Sequence, residues 1–126
     1  MVVGNSLEPG EVILKEAAGA LARQPGRVSG AFGKISLTNQ RLLWNPYSLY
    51  RLLRIERPFE TLLTELESCE VGKPDIWYGF PIVLETGERS YWLYIHSREI
   101  LWMRALRSTA MEWMQAIEVA RTRANE

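Results

Sequence analysis

The chain has little of what most enzymatic chemistry requires. Its 126 residues include one cysteine, Cys69, and one histidine, His96. A lone cysteine cannot form an internal disulfide, and one cysteine with one histidine cannot build a closed zinc site. Nucleophilic catalysis of the Ser-His-Asp or Cys-His kind needs a base beside its nucleophile, and His96 is the only histidine on offer. It falls at the end of a predicted strand, where a solvent-facing or capping histidine is the commoner case. Net charge is missing too: 15 Lys and Arg balance 15 Asp and Glu. No overall field therefore draws the molecule to nucleic acid or to an anionic membrane, and such attraction must come from a local patch. Gly26, Gly30 and Gly33 are wrongly spaced for a Rossmann or P-loop pattern, and no Lys-Ser or Lys-Thr follows them. No stretch approaches the roughly 18 to 20 apolar residues that span a bilayer, and Met1 to Glu11 lacks the basic start and apolar run of a signal peptide. The expectation is a cytoplasmic, non-enzymatic protein without cofactor or metal, whose membrane contact, if it makes any, is peripheral.

What the chain does have is a pattern of short alternating segments. A composition of 47% hydrophobic and 24% charged residues suits one folded domain. Residues 1–10 read as a polar lead-in ending at Pro9-Gly10, and residues 11–126 as the domain. Glu11 to Ala22 is ambiguous: Lys15-Glu16-Ala17-Ala18 favours helix, whereas Val12 and Leu14 alternate as a half-buried strand would. A strand from about Gly30 to Leu37 puts Gly33, Ile35 and Leu37 on one face and Lys34 and Ser36 on the other. Thr38-Asn39 supplies a tight turn into a third strand, Gln40 to Asn45. Leu53, Ile55, Arg57 and Phe59 alternate next, with Pro58 marking an edge or an end, and Arg57, on the apolar face, must reach the barrel mouth or find an acidic partner, the mouth being the expectation. Thr61 to Thr64 reads as a turn and Glu65 to Val71 as a strand whose Glu65 and Glu67 form a solvated acidic edge. Phe80, Ile82 and Leu84 and then Tyr91, Leu93 and Ile95 alternate on either side of a Thr86-Gly87 turn. From Arg98 the period becomes helical, with Met103, Leu106, Ala110, Trp113 or Met114, Ile117 and Ala120 on one stripe. Thr109 and Glu112 match a capping box, so residues 98–124 form either one helix or two.

Seven short antiparallel strands and one closing amphipathic helix make a mostly β, α+β architecture in which the helix stoppers a bent sheet. Residues Pro9-Gly10-Glu11, the hairpin Gly33, Leu37, Thr38, Asn39, Arg41, Leu42 and Trp44, and Trp113 on the last helix resemble the GRAM and pleckstrin-homology-like domains, in particular the compact bacterial type. That resemblance covers roughly Pro9 to Val119, implies a β-barrel closed by the C-terminal helix, and tips Glu11 to Ala22 toward strand.

The same resemblance implies that the first, third and sixth connections between strands emerge together at an open end, where family members meet phosphoinositides or other partners. Here they carry Arg23 and Arg27, then Tyr47, Tyr50, Arg51 and Arg54, then Glu88 and Arg89. Guanidinium groups donate paired hydrogen bonds to phosphate, and tyrosines suit a membrane interface. One departure stands out: inositol-phosphate binders gather several basic residues on the second strand, and this one has only Lys34. The first expectation is therefore a binding module that contacts an anionic lipid headgroup or membrane surface through this rim; loop arginines that merely solubilise are the bland alternative. A second surface is Ile76, Trp77 and Tyr78 between two strands, residues of the kind that anchor a protein partner or a second copy of the chain, or else cap a barrel beneath its helix. Nucleic acid is not an expected partner.

Overall fold

The computed structural model describes residues 7–24, 32–48, 52, 57–96 and 105–126. Its strands are β1 (Ile13–Ala22), β2 (Gly33–Thr38), β3 (Arg41–Pro46), β4 (Phe59–Leu62), β5 (Leu66–Val71), β6 (Ile82–Thr86) and β7 (Ser90–His96), and helix α1 (Arg107–Ala124) closes the chain. All seven strands join one antiparallel sheet in the order β4-β3-β2-β1-β7-β6-β5. Strands β4 and β5 are consecutive in the chain yet form opposite edges, so the sheet closes over a core without closing on itself by hydrogen bonds.

Strand β1 makes this possible. The ambiguous segment is strand, pairing with β2 as far as Gly19 and with β7 from Ala18 onward, so it belongs to both halves of the sheet. Its run of small residues serves the crossing: a Cβ on Gly19 would collide with the backbone of Tyr94 and the side chain of Ile35. The Gly19 carbonyl in turn accepts the indole N–H of the fully buried Trp44 at 3.1 Å, leaving the largest core side chain with no orphaned donor.

Helix α1 packs on β5, on β7 and on the short 3-10 turn Leu63–Glu65. It buries Ala110, Trp113, Ile117 and Ala120, one stripe at helical spacing. Trp113 rather than Met114 takes the core position, and Lys15 lies over its ring at 5.6 Å while pairing with Glu112 at 3.0 Å. The helix begins at Arg107 behind Leu106, which offers no capping side chain. The Thr109–Glu112 box therefore lies inside the first turns and does not start a helix, and residues 98–104 are outside the described set.

Elsewhere the boundaries move. Thr61 and Leu62 finish β4 instead of opening a turn, because Thr61 and Phe59 face the core side by side and only Leu63 begins the 3-10 turn. Arg57 and Pro58 precede β4, so Arg57 is exposed and never faces the core. Strand β5 starts at Leu66, and a register shift between Leu66 and Ser68 lets both Leu66 and Cys69 point inward. The Cys69 thiol is buried, which pushes its pKa up to about 12, with the nearby Glu118 carboxylate a lesser cause; it is inert packing. His96 is half-buried against Phe32 at 5.3 Å rather than solvent-facing, its Nε2 is buried without a hydrogen-bond partner among the described residues, and burial lowers its pKa.

Candidate functional site

The turn from β2 to β3 is where sequence and structure agree most closely, and it is built around an ion pair. By alternation Thr38 and Arg41 lie on the outer face of the sheet, opposite Leu37 and Leu42. The lead-in covers them there. Asn39 donates its side-chain N–H to the Gly10 carbonyl (3.1 Å) and accepts from the Val12 N–H (2.9 Å), and Glu11 and Glu8 bond reciprocally. Glu11 is thereby set over Arg41, whose Nε and Nη2 donate to its two carboxylate oxygens at 2.8 and 2.9 Å, while the Thr38 hydroxyl donates to it at 2.6 Å. Arg41 Nη1 reaches Glu60 of β4 at 2.8 Å. Only 5% of Arg41 is exposed. The guanidinium holds the Glu11 carboxyl down to about 2 against the opposing effect of burial, and the pair holds the Arg41 pKa above its usual range. Every charge in this cluster has a partner, so it offers nothing to a ligand. It is a latch that fastens the chain's entry to the hairpin.

The register supports the expected arrangement of connections. Strand β3 ends opposite Gly33 at the start of β2, and β1 runs past Gly33 in the same direction to end at Ala22, opposite Trp92 near the start of β7. The first, third and sixth connections therefore leave the same end of the sheet. Of the residues expected on the rim, Arg27, Tyr50, Arg51 and Arg54 lie outside the described residues. Arg23 bridges two connections, its Nη2 donating to the Arg57 carbonyl at 3.2 Å. Tyr47 is exposed on the third connection, and Arg89 sits on the sixth, in a tight turn closed by Thr86.

The Ile76–Tyr78 cluster divides in two. Asp75 caps the turn, its carboxylate accepting the backbone N–H groups of Trp77 (2.8 Å) and Tyr78 (3.1 Å), and its backbone exchanges hydrogen bonds with Gly79 at 2.7 and 3.0 Å. Gly79 has φ +86° and abuts the Ala105 backbone, a position closed to any side chain. Ala105 laces the base of the turn by donating to the Tyr78 carbonyl (2.7 Å) and accepting from Phe80 (3.0 Å). Tyr78 turns in, half-buried, with its ring 5.7 Å from that of the buried Tyr94. Ile76 and Trp77 turn out, and each is 79% exposed. Two large apolar side chains are thus held in solvent by a turn that is fastened at its base.

No family model and no curated protein sequence matches this chain. Solved structures do. The N-terminal PH domain of Vps36 superposes with a TM-score of 0.66 at 15% identity, over 93% of this chain and 83% of that one. The hSac2 domain of the human phosphoinositide phosphatase Sac2 gives 0.63 at 14%, over 92% and 73%. A C-terminal domain of an unknown protein from Leishmania infantum gives 0.60 at 13%, over 88% and 87%. The fold is pleckstrin-homology-like: seven antiparallel strands with a C-terminal helix.

Proposed function

We propose that this chain is a non-catalytic binding module that docks to a protein partner, with Ile76 and Trp77 as its anchor. The observation that carries this reading is the exposure of both side chains, 79% each, on a turn fastened at its base by the Asp75–Gly79 backbone pair, by Ala105 and by the Asp75 carboxylate. Exposed apolar surface costs solubility, and a preorganised aromatic loses little conformational entropy when a partner covers it. The PH-like fold, which serves as a lipid- or protein-binding scaffold, agrees with a binding role. A photo-crosslinking amino acid at position 77 tests the reading in cells. A protein adduct of defined mass, absent when the probe sits at Glu88 instead, is expected; adducts no different from that control sink it.

A second reading keeps the lipid class and the finer likeness to GRAM domains. It is favoured by the register, which sends the three connections bearing Arg23, Tyr47 and Arg89 from one end of the sheet. On this reading the module visits the cytoplasmic face of a membrane. Flotation with phosphatidylserine or phosphoinositide vesicles decides: retention that fades with salt and with Arg51→Glu plus Arg54→Glu supports it, and salt-independent absence of retention removes it.

A further inference from the structure

The charge of this neutral chain is unevenly spread. Residues 65–96, from the 3-10 turn through β7, hold six acidic side chains, Glu65, Glu67, Glu70, Asp75, Glu85 and Glu88, against two basic ones, Lys73 and Arg89. The ion pairs among the described residues all lie elsewhere: Lys15 with Glu112, Lys34 with Glu16, Arg41 with Glu11 and Glu60, and Arg121 with Glu118. Most of the described cations are thus engaged inside the fold, whereas the acids of β5 and β6 face solvent without an ionic partner among the described residues.

Register places two of these acids on the surface that carries the exposed turn. Cys69, Ile82, Leu84 and Leu93 belong to the core, so their neighbours along each strand point outward. Glu70, Val83 and Trp92 form one row across the outer face of β5, β6 and β7, and Ser68, Glu85 and Ser90 form the next. Glu70 and Glu85 are exposed, and Val83 and Trp92 are half-buried. Trp92 and Tyr78 pack against the same outer-face cluster of Ala22, Tyr94 and Ala105. The turn that projects Ile76 and Trp77 therefore lies over this face, and its apolar tip and the Val83–Trp92 strip share one surface flanked by acid.

We propose that this surface docks a basic protein, one whose cleft for Trp77 is flanked by Lys or Arg side chains that meet Glu70 and Glu85. The proposal rests on the protein-partner reading and names the chemistry of the partner's surface. Charge complementarity chooses this occupant. Nucleic acid and an anionic membrane carry the same sign as the face and are repelled by it. A second copy of the chain is a poor match, since its Lys15, Lys34, Arg41 and Arg121 are already held in its own ion pairs. An uncharged apolar partner would strip water from Glu70 and Glu85 with nothing to pair them, whereas a cationic rim gives both a partner as the tip is buried. The labour divides accordingly. Ile76 and Trp77 supply the anchor, and the acids steer the encounter and set the orientation in which the partner sits.

The chain carrying the photo-crosslinking amino acid at position 77, expressed in cells, provides the probe, and the readout is the yield of protein adduct at limiting irradiation. Glu70→Lys with Glu85→Lys should lower that yield about tenfold. Glu70→Gln with Glu85→Gln should fall between this pair and the parent, because it removes attraction without adding repulsion; it also serves as the test should the lysine pair disturb the fold. Glu126→Lys, a charge reversal at the end of α1, should leave the yield unchanged. The partner residues joined to position 77, located by mass spectrometry, should lie among lysines and arginines. An adduct whose yield ignores both substitution pairs, or falls equally with Glu126→Lys, overturns the proposal and leaves the Ile76–Trp77 anchor standing. So does an adduct joined to a surface without cations. An adduct with lipid, or one of twice the chain's mass, overturns it as well, and the absence of any adduct above the Glu88 control removes it together with its premise.

Discussion

The β2–β3 hairpin buries charge on the outside of its sheet, and the β5–β6 connection exposes tryptophan to water. Each inverts the usual rule that apolar groups go in and charged groups stay out. The two inversions are sustained differently. In the hairpin the cost of burying Glu11 and Arg41 is offset within the chain, by a bidentate pair with Thr38 and Glu60 filling the remaining valences. At Ile76 and Trp77 nothing within the described residues offsets the exposure, so the compensation is expected from outside. A buried polar cluster complete in itself points to architecture. An apolar tip left incomplete points to a partner.

Removing half of the latch is the most damaging way to test this contrast. Arg41→Met leaves the Glu11 carboxylate buried and unpaired, which should cost about 3–5 kcal/mol in urea unfolding. Replacing both partners, Glu11→Met with Arg41→Met, should cost less than Arg41→Met alone, since no charge is then stranded. If the double variant is the less stable, the cluster is not the self-contained unit described here. Arg41→Lys should rescue poorly, because a single ammonium cannot meet both carboxylate oxygens.

This latch also explains what could be read from the sequence. Pro9-Gly10-Glu11 and the Thr38-Asn39-Gln40-Arg41 turn stood out through the family resemblance, and in the fold they meet: Asn39 binds Gly10 and Val12, and Glu11 binds Arg41. The role of each residue was not legible, since pairing across 30 positions leaves no trace in spacing. Strands with one face in the core, such as Tyr91, Leu93 and Ile95, announced themselves by alternation. The turn expected at Thr61–Thr64 failed because Thr61 is a buried β-former that continues the inward alternation of Phe59 to the end of β4. The capping box at Thr109 failed because a cap is a matter of where the chain bends, and here it bends at Leu106. The candidate surface was half legible: composition flags Ile76-Trp77-Tyr78, but only the Tyr78–Tyr94 contact decides which side chains turn in.

Acid should separate the two regions next. The folded-state pKa of Glu11 is depressed from 4.5 to about 2, so its contribution is fully present above 4.5 and is lost as pH falls from there toward 2. That loss is on the order of 2–3 kcal/mol. A loss at higher pH should come from His96, whose pKa burial lowers from 6.5. The unfolded chain binds this proton more readily, so stability declines as pH falls through 6.5. In a series of unfolding curves from pH 7 to pH 2, Glu11→Gln should flatten the lower step and His96→Phe the upper one. A single step unaffected by either substitution contradicts both assignments. The base of the exposed turn comes third: Gly79→Ala forces a side chain onto the Ala105 backbone at a positive φ, and should destabilise by about 1–3 kcal/mol.

The smallest effect is the most informative about function. Trp44→Ala empties a fully buried site and should cost about 3–5 kcal/mol. Trp77→Ser removes an equally large side chain from a position 79% exposed, whose backbone N–H is held by Asp75 whatever the side chain. Its stability should therefore stay within about 0.5 kcal/mol of the parent, because the folded and unfolded chains expose the indole almost alike. A larger loss would mean that Trp77 contributes to this domain's own packing, and the turn would then resemble the latch. Near-neutral stability with loss of the crosslinked partner would locate the missing compensation outside the chain, since a residue that does so little for the fold can cost so much only through what it touches elsewhere.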